Sequence, residues 1–128
     1  MNDSKIYFYT KDITKKEIVI KIAASIGAQY TELKASQADN TVSSIVGLPQ
    51  LRLSDNINYP KAPPLWSMPE LIIFFGIPDK HLDTFLAEYK KSGLESIRLK
   101  AIVTPTNLSW TIYQLTEHLK EEAKCMGR

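Results

Sequence analysis

The stretch Lys100-Ala-Ile-Val-Thr-Pro-Thr-Asn-Leu-Ser-Trp110 gathers an ammonium, three hydroxyls, a carboxamide and an indole in one short run. It reads as a buried strand passing through a turn stiffened by Pro105 into the start of a helix. Ligands of open α/β sheets lie beyond the carboxyl ends of strands, and a helix start offers free amides and a positive dipole end that favour anions. Lys100, Thr104, Thr106, Asn107 and Trp110 are therefore the candidate ligand-binding residues. Lys100 brings charge, the threonines and Asn107 bring donors, and Trp110 brings an aromatic wall. A purely structural reading competes: Thr106, Asn107 or Ser109 is the helix N-cap, Pro105 sets the turn, and Trp110 packs into the core. No glycine is present to let the backbone wrap a phosphate.

Elsewhere the chemistry-bearing residues are scattered. His81 falls in the first turn of an expected helix, where the dipole opposes protonation, and no Ser or Cys stands by for it to activate. His118 lies near Glu117 and Glu121, a spacing better explained as a solvated helix face than as a metal site. Cys125 is the lone cysteine, and only Lys124 is at hand to lower its pKa. Asp79, Asp83 and Glu88 occupy solvent positions of a helix, and Lys90-Lys91 sits where cations offset a helix C-terminus. No catalytic constellation, metal site or cofactor motif emerges.

Several elements must position these groups. Ile6 to Thr10 is a strand. Thr14 and Glu17 have capping-box spacing, and Ile18, Val19, Ile22, Ala23 and Ile26 form one apolar helix face ended by Gly27. Gln29 to Ala35 reads as a second strand, and Asn40 caps a short helix through Ile45 and Leu48. The order then repeats: a strand at Leu71 to Phe75, a turn at Gly76 to Asp79, and a helix bearing Leu82, Phe85, Leu86 and Tyr89 that ends at Gly93. A strand over Ile97 to Thr104 follows, with a last helix starting near Asn107 to Ser109 and carrying Ile112, Leu115 and Leu119.

A shift of 66 residues lays Ile6 on Ile72, Phe8 on Phe74, Gly27 on Gly93 and Leu33-Lys34-Ala35 on Leu99-Lys100-Ala101. One inserted residue then brings Asn40 onto Asn107, Ile45 onto Ile112 and Leu48 onto Leu115. The reading is an internal duplication within a single domain, 1–128, with a first repeat at 5–48 and a second at 70–124. The competing explanation is shared physics of caps and apolar faces. The connector, 49–69, holds five of the seven prolines. Leu51, Leu53, Tyr59, Leu65 and Trp66 argue that it packs on the body, the alternative being a lid. The expected class is α/β (α+β): duplicated β-α-β-α units sharing one four-stranded sheet. A ferredoxin-like arrangement with the halves antiparallel is preferred over an all-parallel, doubly wound sheet.

From about Glu70 to Ala123 the chain resembles a bacterial and archaeal family, the domain of unknown function 3783. The resemblance rests on the Leu82 to Leu86 helix pattern, on Lys100-Ala-Ile-Val-Thr-Pro-Thr-Asn-Leu-Ser-Trp110 and on the acidic helix Glu117 to Glu122. Ile102 stands where the family often has Val, and the His that can follow the family's Glu pair is missing. The resemblance implies a family fold and transfers no activity or site.

At 128 residues with 44% hydrophobic and 23% charged side chains, the chain has the composition of a folding domain. A formal charge of +2 falls short of a nucleic-acid footprint. One cysteine and no long apolar run lead to an expected cytoplasmic location, neither exported nor membrane-spanning. The functional expectation is a non-catalytic module that either binds a partner across a sheet edge or helix face or holds a small anionic ligand at the Thr104-to-Trp110 turn, with an exposed sheet edge as the candidate homodimer contact. The alternative is a small enzyme using Lys100, Thr104, Asn107 and Trp110 beneath the connector, with Lys100 as base or nucleophile. RNA stacking on exposed Tyr7 and Tyr9 is a weaker third reading, for want of a basic balance or an aromatic-glycine signature.

Overall fold

In the computed structural model, which describes residues 4–47 and 62–125, the aromatic and β-branched run forms strand β1, Lys5–Tyr9. Three residues past the end of β1, Asp12 starts helix α1, Ile13–Ser25: its carboxylate accepts from the Lys15 amide at 3.2 Å. The cap thus lies two residues ahead of the expected Thr14, because the Asp12 side chain already meets the orphan amide. Gly27 takes φ +74°, the left-handed conformation that ends the helix, and Gly93 does the same at +75°. Strand β2, Gln29–Glu32, stops earlier than expected and gives way to a 3-10 turn at Ala35–Gln37. Helix α2, Val42–Ile45, is capped by Thr41 rather than Asn40.

The second half gives strand β3, Leu71–Phe75, helix α3, Asp79–Lys91, strand β4, Leu99–Ile102, and helix α4, Ile112–Cys125. The last helix begins later than expected. Thr111 and Gln114 form its capping box, the Gln114 amide donating to Thr111 Oγ1 at 3.1 Å and the Thr111 amide to Gln114 Oε1 at 3.0 Å.

The four strands make one mixed sheet in the order β2-β1-β3-β4. β1 and β2 are parallel, β3 and β4 are parallel, and β1 meets β3 antiparallel with Tyr7 opposite Ile73. In each unit the helix joins neighbouring strands. A ferredoxin-like sheet would split each pair with a strand of the other unit, so that expected order is corrected here. The antiparallel centre was expected.

Both sheet faces are covered. Ile6, Phe8, Ile72 and Phe74 point to α1 and α3, whose Val19, Ile22, Phe85 and Tyr89 close the first core cluster. Tyr7, Leu71, Ile73, Leu99 and Ala101 point to the other side, against Val42, Ile112 and Leu115. Both halves contribute to both clusters. Of the connector, Trp66 packs on the second cluster, with its ring 5.2 Å from Tyr113 in an edge-on contact, whereas Leu65 is 97% exposed, against expectation. Leu48, Leu51, Leu53 and Tyr59 lie outside the described residues.

The two units interlock reciprocally. Thr41 bridges Thr111. The Val42 amide donates to Trp110 O and the Ile112 amide to Asn40 O, while the Ser43 amide donates to Leu108 O and the Tyr113 amide to Ala38 O. Each pair is exchanged by adding or subtracting 70 residues. The shift of 66 therefore relates β1 to β3 and α1 to α3, but 70 relates everything from β2 onward. Leu33-Lys34-Ala35 accordingly does not match Leu99-Lys100-Ala101: it follows β2, whereas the second run lies within β4. Asn40 likewise corresponds to Trp110 and not to Asn107.

Candidate functional site

The five sequence-predicted residues are divided between the two faces of the sheet. Alternation along β4 buries Leu99 and Ala101 under α4 and sends Lys100 and Ile102 to the α3 side. Asn107 and Trp110 belong to the α4 side.

Asn107 is 8% exposed and bonded through both its carboxamide oxygen and its nitrogen. Its Oδ1 accepts from the Thr104 amide at 3.0 Å, and its Nδ2 donates to Ile102 O at 3.0 Å. Its own amide donates to Thr104 Oγ1 at 3.3 Å. The amides of Leu108, Trp110 and Thr111 are also bonded within the protein, so these donors are already taken by the turn itself. Thr104 and Thr106 are exposed. Trp110 is half-buried and stacks on His118, with centroids 4.0 Å apart and planes 8° apart. In the first unit the first of these bonds recurs between Lys34 and Gln37, whose Oε1 accepts from the Lys34 amide at 2.8 Å. The polar run thus closes the second layer, and Lys100, Thr104, Asn107 and Trp110 do not converge on one point.

Lys100 opens onto a cavity of about 220 Å³ between α3 and β4. Phe85, Tyr89 and Ile97 form its buried floor, Leu86 and Leu94 its sides, and Lys90 stands at the mouth with Lys100. Lys100 Nζ donates to Ile97 O at 3.2 Å, which ties the ammonium to another residue of the cavity lining. The Tyr89 hydroxyl donates to Glu95 O at 2.7 Å and pins the loop after α3. Burial, reinforced by the carboxylates of Glu70, Asp12 and Glu95, pushes the Tyr89 pKa up to about 12, so it stays protonated and keeps this bond.

The cavity has a local origin. Lys100 stands where the first unit has Tyr30, whose ring packs on the first core cluster. Four more residues separate Gly93 from β4 than separate Gly27 from β2, and Leu94, Ser96 and Ile97 of that longer loop line the space. The false Leu-Lys-Ala correspondence hides this insertion. Alternation along β4 is the sequence signal that puts Lys100 on the face opposite Leu99 and Ala101.

A wider cleft of about 610 Å³ lies beyond the carboxyl end of β1, lined by Tyr9, Thr10, Lys11, Asp12, Met68 and Arg98 around a Lys15–Glu70 ion pair. Lys15 Nζ lies 3.0 Å from Glu70 Oε1, with side-chain exposures of 9% and 16%. Glu70 also accepts from Thr10 Oγ1 at 2.7 Å and from the Arg98 amide at 3.4 Å. These bonds tie α1 and β1 to the starts of β3 and β4. Sequence reasoning missed this cluster, although Lys15 lies one turn before Val19 on the apolar face of α1.

Among the described residues no three His, Cys, Asp or Glu side chains gather to hold a metal, and no helix is long and apolar enough to cross a membrane. Tyr7, a candidate for base stacking, is 4% exposed beneath the second layer. No curated protein and no solved structure matches the chain significantly. Residues 70–126, which carry β3, α3, β4, the Thr104-to-Trp110 turn and α4, match the model of a family described as a domain of unknown function (DUF3783).

Proposed function

We propose that the protein is a non-catalytic small-ligand-binding module, a single domain descended from a duplicated unit, whose ligand sits against Lys100 between α3 and β4. The observation that carries this reading is that the cavity opens where the second unit departs from the first. Tyr30 is replaced by Lys100, and the loop before the strand is four residues longer. Pockets of this kind bind through an apolar floor and a few placed polar groups, and a lysine at the mouth suits a small anion. The reciprocal hydrogen bonds around Thr41 and Thr111 support the duplication. A single cysteine suits a reducing compartment such as the cytoplasm.

The test is thermal denaturation of the full chain across a panel of small organic anions, in wild type and Lys100→Tyr. The substitution restores the first unit's residue and fills the space. Wild type is expected to gain stability with at least one anion and Lys100→Tyr to gain none. Equal responses from the two proteins, or no response from wild type, would remove the proposal.

A further inference from the structure

We infer that the ligand class of the Lys100 cavity is a small monocarboxylate with an apolar tail; this rests on the ligand seat proposed above. The volume of about 220 Å³ equals the share of about seven water molecules, which limits the occupant to a compact metabolite-sized tail. Phe85, Tyr89 and Ile97, at 1%, 7% and 3% exposure, offer that tail a dry floor. The Tyr89 hydroxyl is already spent on Glu95 O, so the floor makes no polar demand on it.

At the mouth the charge is cationic. Lys90 and Lys100 both line the opening, and among the described residues no acidic side chain does. Lys100 Nζ gives one N–H to Ile97 O, which leaves two donors for a carboxylate. A phosphate dianion fits worse, for two reasons. The last turn of α3 forms one wall through Tyr89 and Lys90, and the carbonyl end of a helix repels concentrated negative charge. Among the described residues no arginine fork lines the cavity to take a phosphate in a bidentate way. Lys90 lies in the last turn of α3 and offsets that helix end, so the charge left for a ligand is the Lys100 ammonium, which matches a single negative charge.

The experiment is a heteronuclear NMR titration of the full chain with hexanoate, 1-hexanol and hexyl phosphate, in wild type, Lys100→Gln and Lys100→Tyr. Hexanoate is expected to move the amide resonances of Leu86, Tyr89, Leu94 and Ser96. Lys100→Gln is expected to weaken it about tenfold, as loss of one charge-assisted hydrogen bond requires, and to leave 1-hexanol unchanged. Lys100→Tyr is expected to abolish the response to all three. If 1-hexanol binds as tightly as hexanoate, or hexyl phosphate binds more tightly, the carboxylate assignment fails while the seat stands. If none of the three perturbs those resonances, seat and ligand class fail together.

Discussion

The two βαβ units share a frame and differ in how their outer corners close. In the first, Tyr30 fills the space between α1 and β2, and Lys16 pairs with Glu32 across the surface. In the second, Lys100 takes the place of Tyr30, and Leu82 and Ile102 take the places of Lys16 and Glu32. Ile102 is left 54% exposed, and a cavity opens at Lys100. Strand pairing and helix packing tolerate these exchanges because they concern side chains at the rim of one core cluster, away from the central Tyr7–Ile73 pair. The units also differ at the two ends of the β1–β3 pair. Glu70 anchors three donors at one end, while its counterpart Ser4 donates to Gly76 O at 3.1 Å at the other.

The largest expected effect falls on that last contrast. Glu70→Ala leaves the Lys15 ammonium largely buried without its counter-ion and is expected to cost about 3 kcal/mol, against about 1 kcal/mol for Ser4→Ala. Urea denaturation of both variants measures the difference, and equal losses would show that the ends are equivalent. Tyr30→Lys, the reverse of the cavity-filling exchange, opens the first corner without the longer loop to line it. A loss of about 2 kcal/mol is expected, as for partial removal of a buried ring. A neutral result would mean that Tyr30 does not hold the first corner shut.

The smallest effect concerns the Tyr30 hydroxyl, a buried atom without a hydrogen-bond partner, whose pKa is pushed up to about 12 by burial and then by the Glu32 carboxylate. The folded protein holds this proton more tightly than the unfolded chain, whose tyrosine titrates near 10. The corresponding stability is present in full below pH 10 and is lost as pH rises from about 10 to about 12. Tyr30→Phe is expected to leave stability at pH 7 unchanged or raised by up to about 1 kcal/mol, and to flatten part of the alkaline loss. Denaturant midpoints at pH 7 and pH 11 check both, and an undiminished alkaline slope would count against Tyr30 as a source.

Much of this architecture is written in short-range patterns. The apolar stripe of α1, the run Leu71 to Phe75 and the closing glycines at 27 and 93 each express one local preference, and each element forms where that preference puts it. The antiparallel centre also follows from two equivalent units meeting edge to edge. What misleads is identity without geometry: Leu33-Lys34-Ala35 repeats the letters of Leu99 to Ala101, but the strand preceding it ends at Glu32. The true correspondence is carried by backbone hydrogen bonds that no residue type announces. The Thr104-to-Trp110 turn is legible as a polar turn. Its use is not, because satisfying Asn107 and receiving the Val42 amide at Trp110 depend on elements remote in the chain. Lys15 and Glu70 are far apart in sequence, and only the folded sheet brings them together.

Asn107 has one more effect. Because the Val103 amide reaches Phe74 O, the peptide oxygen of Ile102 faces away from β3, toward the open margin of the sheet, and there the Asn107 carboxamide occupies it. A fifth strand approaching that margin would find its would-be acceptor taken, so growth of the sheet by addition of a neighbouring molecule is blocked at this point by a residue of the chain's own turn.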